Sequence, residues 1–101
     1  MSILIYTDHP TTNEAIEVWG DMAQLSILQE ECAELIVAVS KLERNAPNAP
    51  QMMAEEIADV IVSMMSVIPM LSLEAGVEVA KTTKLARLAR RTDKIKRDRM
   101  K

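Results

Sequence analysis

Glycine is scarce in this chain, since Gly20 and Gly76 are the only two among 101 residues. Tight hairpin turns and phosphate-binding glycine loops need backbone angles or close approaches that side chains resist. The sequence therefore offers little turn chemistry for an all-β fold, and it excludes nucleotide sites of the Walker and Rossmann types. Apolar residues form 49% of the chain, with eight methionines and no phenylalanine, which is typical of a helical core.

Two long stretches repeat apolar residues at intervals of three and four, the period of one helix face. The first stripe, in a helix capped by Asp21, comprises Leu25, Leu28, Cys32, Leu35, Val39 and Leu42. The second, in a helix over about 50–72, comprises Met53, Ile57, Val60, Met64, Val67, Ile68 and Leu71. The two prolines of Asn45–Pro50 predict a loop between these helices, and Pro69 predicts a kink or an early helix end.

Shorter helical patterns flank this pair. Thr11 and Glu14 have the form of a capping box, which predicts a helix over 12–19 that Gly20 ends. A last helix is predicted over 77–92.

The pattern predicts one all-α domain over residues 1–92, a small antiparallel bundle of about four helices. The basic tail, residues 93–101, is equally compatible with continued helix and with fraying or disorder. Because a domain of this length buries only a modest core alone, we expect oligomerisation to complete the bundle, as a homodimer or homotetramer.

The sequence predicts the cellular compartment through the targeting segments that it does not show. The apolar start of the chain is interrupted too soon for a signal peptide, by Asp8, His9 and Pro10. No stretch reaches the roughly 20 apolar residues of a membrane span. Cys32 is the single cysteine, so no internal disulfide forms and a cytoplasmic protein is expected. Because Cys32 lies on an apolar stripe, we expect it to be buried and not a nucleophile.

Charge is divided sharply along the chain. Residues 1–80 carry thirteen acids and two bases, whereas residues 81–101 carry ten bases and two acids, giving local balances of −11 and +8. A basic tail of this kind leaves two alternatives to an enzyme open: a helical module that binds nucleic acid through Lys94–Lys101, or a structural oligomerisation domain. The overall charge of −3 argues against nucleic-acid binding as the main role.

Two acidic motifs, EECAE and EEIAD, lie on adjacent predicted helices. Residues three apart share a helix face, so Glu31 pairs with Glu34, and Glu56 pairs with Asp59. Each pair borders its apolar stripe. If the two stripes pack face to face, the four carboxylates converge at the edge of the core.

Converging carboxylates repel one another and lose hydration, and a divalent cation relieves both effects. Oxygen ligands without nearby histidine or cysteine favour Mg²⁺, or Mn²⁺ in its place. Such a site suits hydrolysis of phosphoanhydrides. Spacing alone leaves a solvated acidic face open as the alternative.

These motifs resemble those of the MazG-like all-α nucleotide pyrophosphohydrolases, whose signature is EExxE followed about twenty residues later by ExxD. The matching residues are Glu30, Glu31 and Glu34, then Glu56 and Asp59. Trp19, Gly20 and Gln24 upstream are also similar to the family, as is the alternation of Ile and Val after Asp59. The resemblance covers roughly residues 17–91.

The resemblance implies hydrolysis of a nucleoside triphosphate between its α- and β-phosphates, giving a monophosphate and pyrophosphate. It also implies that Mg²⁺ or Mn²⁺ is held by Glu31, Glu34, Glu56 and Asp59. Glu30 and Glu55 either assist the ligands or the attacking water, or they are solvent-facing helix residues.

The family's last helix usually supplies Lys or Arg to the phosphates, and KTTKLARLARR resembles it. The resemblance implies Lys84 first, then Arg87 or Arg91, as substrate-binding residues. Each of them alternatively solvates the helix or pairs with the acidic helices. Trp19 either stacks on a nucleobase or, as its position before a helix favours, plugs the core.

Overall fold

The computed structural model describes residues 8–101, and the apolar start of the sequence lies outside them. The described chain forms four helices without a strand: α1 (Pro10–Trp19), α2 (Asp21–Glu43), α3 (Ala49–Met70) and α4 (Glu74–Arg99). The prediction of an all-α chain with about four helices is confirmed. None of these helices combines the length and apolar character needed to cross a membrane.

Helix α1 begins earlier than its sequence pattern predicts. His9 is the N-cap, and its Nδ1 accepts the backbone N–H of Thr11 at 3.1 Å. Pro10 follows as the first helical residue, where its missing N–H removes no helical hydrogen bond. The predicted capping box of Thr11 and Glu14 is therefore wrong, because an imidazole nitrogen and a proline start the helix instead.

A single glycine joins α1 to α2. The backbone of Gly20 has a positive φ of 86°, and its N–H bonds to the carbonyl of Ile16 at 2.9 Å, so it ends α1 as predicted. Gly20 is also the N-cap of α2, in place of the predicted Asp21. The Asp21 carboxylate instead lies in the first turn, where the helix dipole favours negative charge.

The ends of α2 and α3 close with the same backbone motif. Asn45 (φ 55°) and Ser72 (φ 54°) are left-handed, and the N–H groups of each and of the following residue bond to carbonyls of the last helical turn. These are Schellman motifs, which stop a helix and reverse the chain. Helix α3 ends at Met70, one residue after Pro69, in agreement with the predicted early end.

Helices α2 and α3 pack through faces that are each centred on a glutamate. On α2, Glu31 lies seven residues from buried Gln24 and seven from buried Ala38. On α3, Glu56 lies seven residues from buried Ala49 and seven from buried Ser63. Seven residues are close to two helical turns, so each set shares one face.

The packed faces are thus rotated away from the predicted apolar stripes. Cys32, Val39, Ile57 and Leu71 belong to those stripes and are exposed, so the expectation of a buried Cys32 is wrong. Val67 and Ile68 are buried as predicted. The interface uses small side chains that let two backbones approach closely, which leaves the larger apolar residues at its margins.

Helix α4 is longer than predicted and stands apart. It runs from Glu74 to Arg99, beyond both predicted limits of 77–92, and the tail continues the helix. Lys and Arg are good helix formers, and three bases in the last turn complement the helix dipole. Every residue of α4 is exposed, and the helix makes no extended contact with α1, α2 or α3. The radius of gyration is 17.2 Å, against about 13 Å for a compact domain of this size.

The left-handed conformation of Ser72 gives a stability prediction. Ser72→Gly is expected to raise the free energy of unfolding by about 0.5–1 kcal/mol, because glycine adopts a positive φ without steric cost. Ser26→Gly, the same change at an exposed position inside α2, is expected to lower it by about the same amount. Denaturant unfolding of both variants measures this difference, and equal shifts would contradict it.

Candidate metal centre

Four carboxylates converge where α2 packs on α3. Glu31 and Glu34 come from α2, Glu56 and Asp59 from α3, and one oxygen of each lies within 4.8 Å of the other three. Glu31 and Glu56 are half-buried at the centre of the interface, whereas Glu34 and Asp59 are exposed at its rim. The i,i+3 spacing within each motif therefore yields one inner and one outer carboxylate per helix.

One oxygen of each inner carboxylate lacks a hydrogen-bond partner. The Oε2 atoms of Glu31 and Glu56 are shielded from solvent, and no donor among the described residues reaches them. Within residues 8–101 the ion pairs join Lys81 to Glu78 on α4 and Lys101 to Asp98 at its C-terminal end, so no base of this part of the chain forms an ion pair with the cluster. Buried carboxylate oxygens without donors are rare and demand an explanation.

The cluster shifts the protonation of its inner members. Burial, and next the charge of Asp59, raises the pKa of Glu31 above its ordinary value. Burial, and next the charge of Glu34, raises the pKa of Glu56. Both shifts have the same sign because low hydration and neighbouring anions each disfavour the charged carboxylate.

A divalent cation fits this arrangement. It would supply the positive charge that the described residues do not bring to the cluster, and it would give the two buried oxygens a partner. An all-oxygen donor set is the kind that hard cations such as Mg²⁺ prefer. The exposed rim leaves room for water and for substrate oxygens, which a catalytic metal site requires.

A hollow of about 170 Å³ opens beside the cluster, with Glu34 and Glu56 in its wall. The rest of the wall is Val37, Ala38, Lys41 and Met52. Lys41 was not predicted to belong to a site. Its position seven residues after Glu34, on the same face of α2, was the available signal.

The remaining predicted site residues lie outside the cluster. Glu30 and Glu55 are exposed on α2 and α3. The predicted phosphate-binding residues Lys84, Arg87 and Arg91 are exposed on α4, which the chain does not pack against the acidic helices. A single chain therefore brings together the four paired carboxylates but not the basic residues.

Trp19 does not plug the core of the chain. It is 71% exposed at the end of α1, beside a shallow hollow lined by Thr11, Glu14, Ala15 and Val18. The expectation of a core position is therefore wrong for a single chain, because Trp19 is the last residue of α1 and its side chain is exposed there.

Comparison with known proteins identifies the domain. Residues 21–97 match the MazG nucleotide pyrophosphohydrolase domain, a region that spans α2, α3 and nearly all of α4. No curated protein and no solved structure gives a significant match. The family depends on divalent metal, in agreement with the carboxylate cluster. The resemblance inferred from the two acidic motifs is confirmed, and the chain belongs to the MazG nucleotide pyrophosphohydrolase family.

Proposed function

We propose that the chain is a Mg²⁺-dependent hydrolase that splits nucleoside or deoxynucleoside triphosphates into a monophosphate and pyrophosphate. The observation that carries the proposal is the convergence of four carboxylates around two buried oxygens that lack donors. Membership of the MazG family supports the reaction class. The exposed free thiol of Cys32 agrees with a reducing cytoplasmic setting.

Each carboxylate has a distinct task in this proposal. Glu31 and Glu56 hold the cation from the centre of the helix interface, and Glu34 and Asp59 hold it from the rim where substrate arrives. Mg²⁺ held by these four residues would supply the charge that neutralises the phosphates and lowers the pKa of the attacking water. Glu30, exposed beside the cluster, is a candidate to accept the proton that the water loses.

The activity itself is the first test. Incubation with a panel of NTPs and dNTPs and Mg²⁺ is expected to release monophosphate and pyrophosphate. Glu56→Gln is expected to lower the rate at least about a hundredfold, because a neutral amide cannot balance the charge of the cation. Chromatography of the nucleotide products and an assay for pyrophosphate measure both results.

The matched control is Glu43→Gln, which removes an exposed charge from α2 outside the cluster and is expected to keep the wild-type rate. Without metal, Glu56→Gln is expected to unfold at the same or a higher temperature than the wild type, because the change removes a poorly hydrated charge. Full activity in Glu56→Gln, or orthophosphate as the product, would contradict the proposal.

The raised pKa values of Glu31 and Glu56 predict opposite pH dependences with and without metal. In the metal-free protein, the folded state holds these protons more tightly than the unfolded state, so stability falls as pH rises above about 4.5. Mg²⁺ binds the ionised carboxylates, so its stabilising effect is expected to grow with pH. Saturating Mg²⁺ should raise Tm by about 10 °C near pH 8 and by much less near pH 5.

Thermal unfolding with Mg²⁺ or with EDTA, between about pH 5 and pH 8, measures the change in Tm that Mg²⁺ causes. A double Glu31→Gln, Glu56→Gln variant serves as the control. In this variant, the Tm of the metal-free protein and the increase in Tm caused by Mg²⁺ are both expected to depend less on pH. An Mg²⁺ effect that is independent of pH would argue against carboxylate ligands.

We also propose that the working unit is a homodimer or homotetramer in which α4 of one copy covers another copy. Val77, Leu88 and Ile95 line one exposed face of α4, with Lys84 and Arg91 on the same face. A 26-residue helix exposed along its whole length gains no tertiary stabilisation. The basic α4 is also complementary in charge to the acidic α2 and α3. In such an assembly the basic residues would reach the carboxylates of the partner copy.

Leu88→Asp is expected to shift the protein towards monomers and to lower its helix content and activity, because it places a charge in the covered face. Val79→Asp introduces the same charge on the opposite side of α4, at a position 67% exposed. It is expected to leave the oligomeric state, the helix content and the activity unchanged. Sedimentation velocity and circular dichroism measure the difference. A monomeric wild type would overturn the proposal.

A further inference from the structure

The hollow beside the carboxylate cluster contains one positive charge. Glu34 and Glu56 form one end of its wall, and Lys41 stands seven residues, or about 10 Å, further along α2. Lys41 is the only base on α2 and α3, which together carry eight acidic residues. The side chain is half-buried. The helices that carry the acidic cluster thus place their single cation at its margin.

A local ion pair does not explain this lysine. The residues three and four positions away on the helix are Val37, Ala38, Arg44 and Asn45, and none of them is acidic. Lys41 forms no ion pair with any of residues 8–101. The acids that share its hollow are Glu34 and Glu56. Its positive charge therefore faces the space beside the cluster.

A triphosphate bound at the cluster needs a cation in this place. Its phosphates carry more negative charge than a single divalent cation held by the carboxylates would neutralise. The aliphatic walls of Val37, Ala38 and Met52 offer phosphate oxygens no donor, whereas the ammonium of Lys41 offers three.

We propose that Lys41 binds the pyrophosphate portion of the substrate, the β- and γ-phosphates. This inference rests on the proposed function. In that reaction the water oxygen forms a bond to the α-phosphorus, and the bond from the α-phosphorus to the α,β-bridging oxygen breaks. Pyrophosphate leaves with that oxygen and the electron pair, and the water releases one proton. Lys41 stabilises the charge that accumulates on the leaving group.

Calorimetric titration of pyrophosphate into the full-length protein at saturating Mg²⁺ tests the contact without turnover. Lys41→Met keeps the aliphatic stem that lines the hollow and removes the charge. It is expected to weaken pyrophosphate binding about tenfold or more and to leave nucleoside monophosphate binding unchanged. Lys41→Arg is expected to restore most of the affinity. Arg44→Ala, which removes an exposed base outside the hollow, is the matched control and should bind as the wild type does.

Kinetics provide the second readout. Product inhibition by pyrophosphate is expected to weaken in Lys41→Met, while inhibition by monophosphate stays the same. If Lys41 only neutralises the carboxylates, Lys41→Met will instead tighten Mg²⁺ binding and leave pyrophosphate affinity unchanged, which would overturn the inference. A wild type that binds pyrophosphate through Lys41 but hydrolyses no triphosphate would overturn the proposed reaction and keep the contact.

Discussion

The meeting of Glu31 and Glu56 inside the α2–α3 interface is the constraint on which the rest of the molecule depends. Each glutamate occupies the centre of its helix face, flanked two turns away on either side by buried small or polar residues. A well-packed helix pair would ordinarily place leucine or isoleucine there. The chain instead brings two carboxylates together with an oxygen of each shielded and without a donor. Metal-free folding works against this repulsion, so a divalent cation bound between these carboxylates would also stabilise the fold.

The same constraint explains why small residues dominate the interface. Ala38 and Ala49 are almost fully buried, at 2% and 1% exposure, and Ser63 and Ser66 accompany them. Small side chains let two backbones approach closely enough for carboxylate oxygens from both helices to lie within 4.8 Å of one another. Bulkier residues at these positions would separate the helices and move the carboxylate oxygens apart. Close approach of the helices therefore limits apolar burial in the interface, and many larger apolar side chains, Ile36 and Val62 among them, are exposed on the outside of the pair.

Much of this site could be predicted because it follows from local helix geometry. The i,i+3 spacing of Glu31 with Glu34, and of Glu56 with Asp59, determines that each pair shares a face, whatever the helices pack against. The rotation of the packed faces could not be predicted in the same way, since a core defined by apolar residues leaves Gln24 out and places Glu31 only at its border. Lys41 was missed for a related reason, because its role depends on a hollow that only the packing of α2 on α3 creates.

Helix α4 carries most of the basic residues of the chain but lies apart from the carboxylate cluster. Its C-terminal limit could not be predicted from the sequence, because the charged residues 93–101 are compatible both with fraying and with continued helix, and Lys and Arg are good helix formers. The single chain concentrates acid on α2 and α3 and base on α4, yet it does not pack the two against each other. Each of the two parts therefore carries an excess of one sign of charge. Lys41 reduces this imbalance by one charge at the margin of the cluster, and the remaining bases are useful to an anionic substrate only if another copy brings them to it.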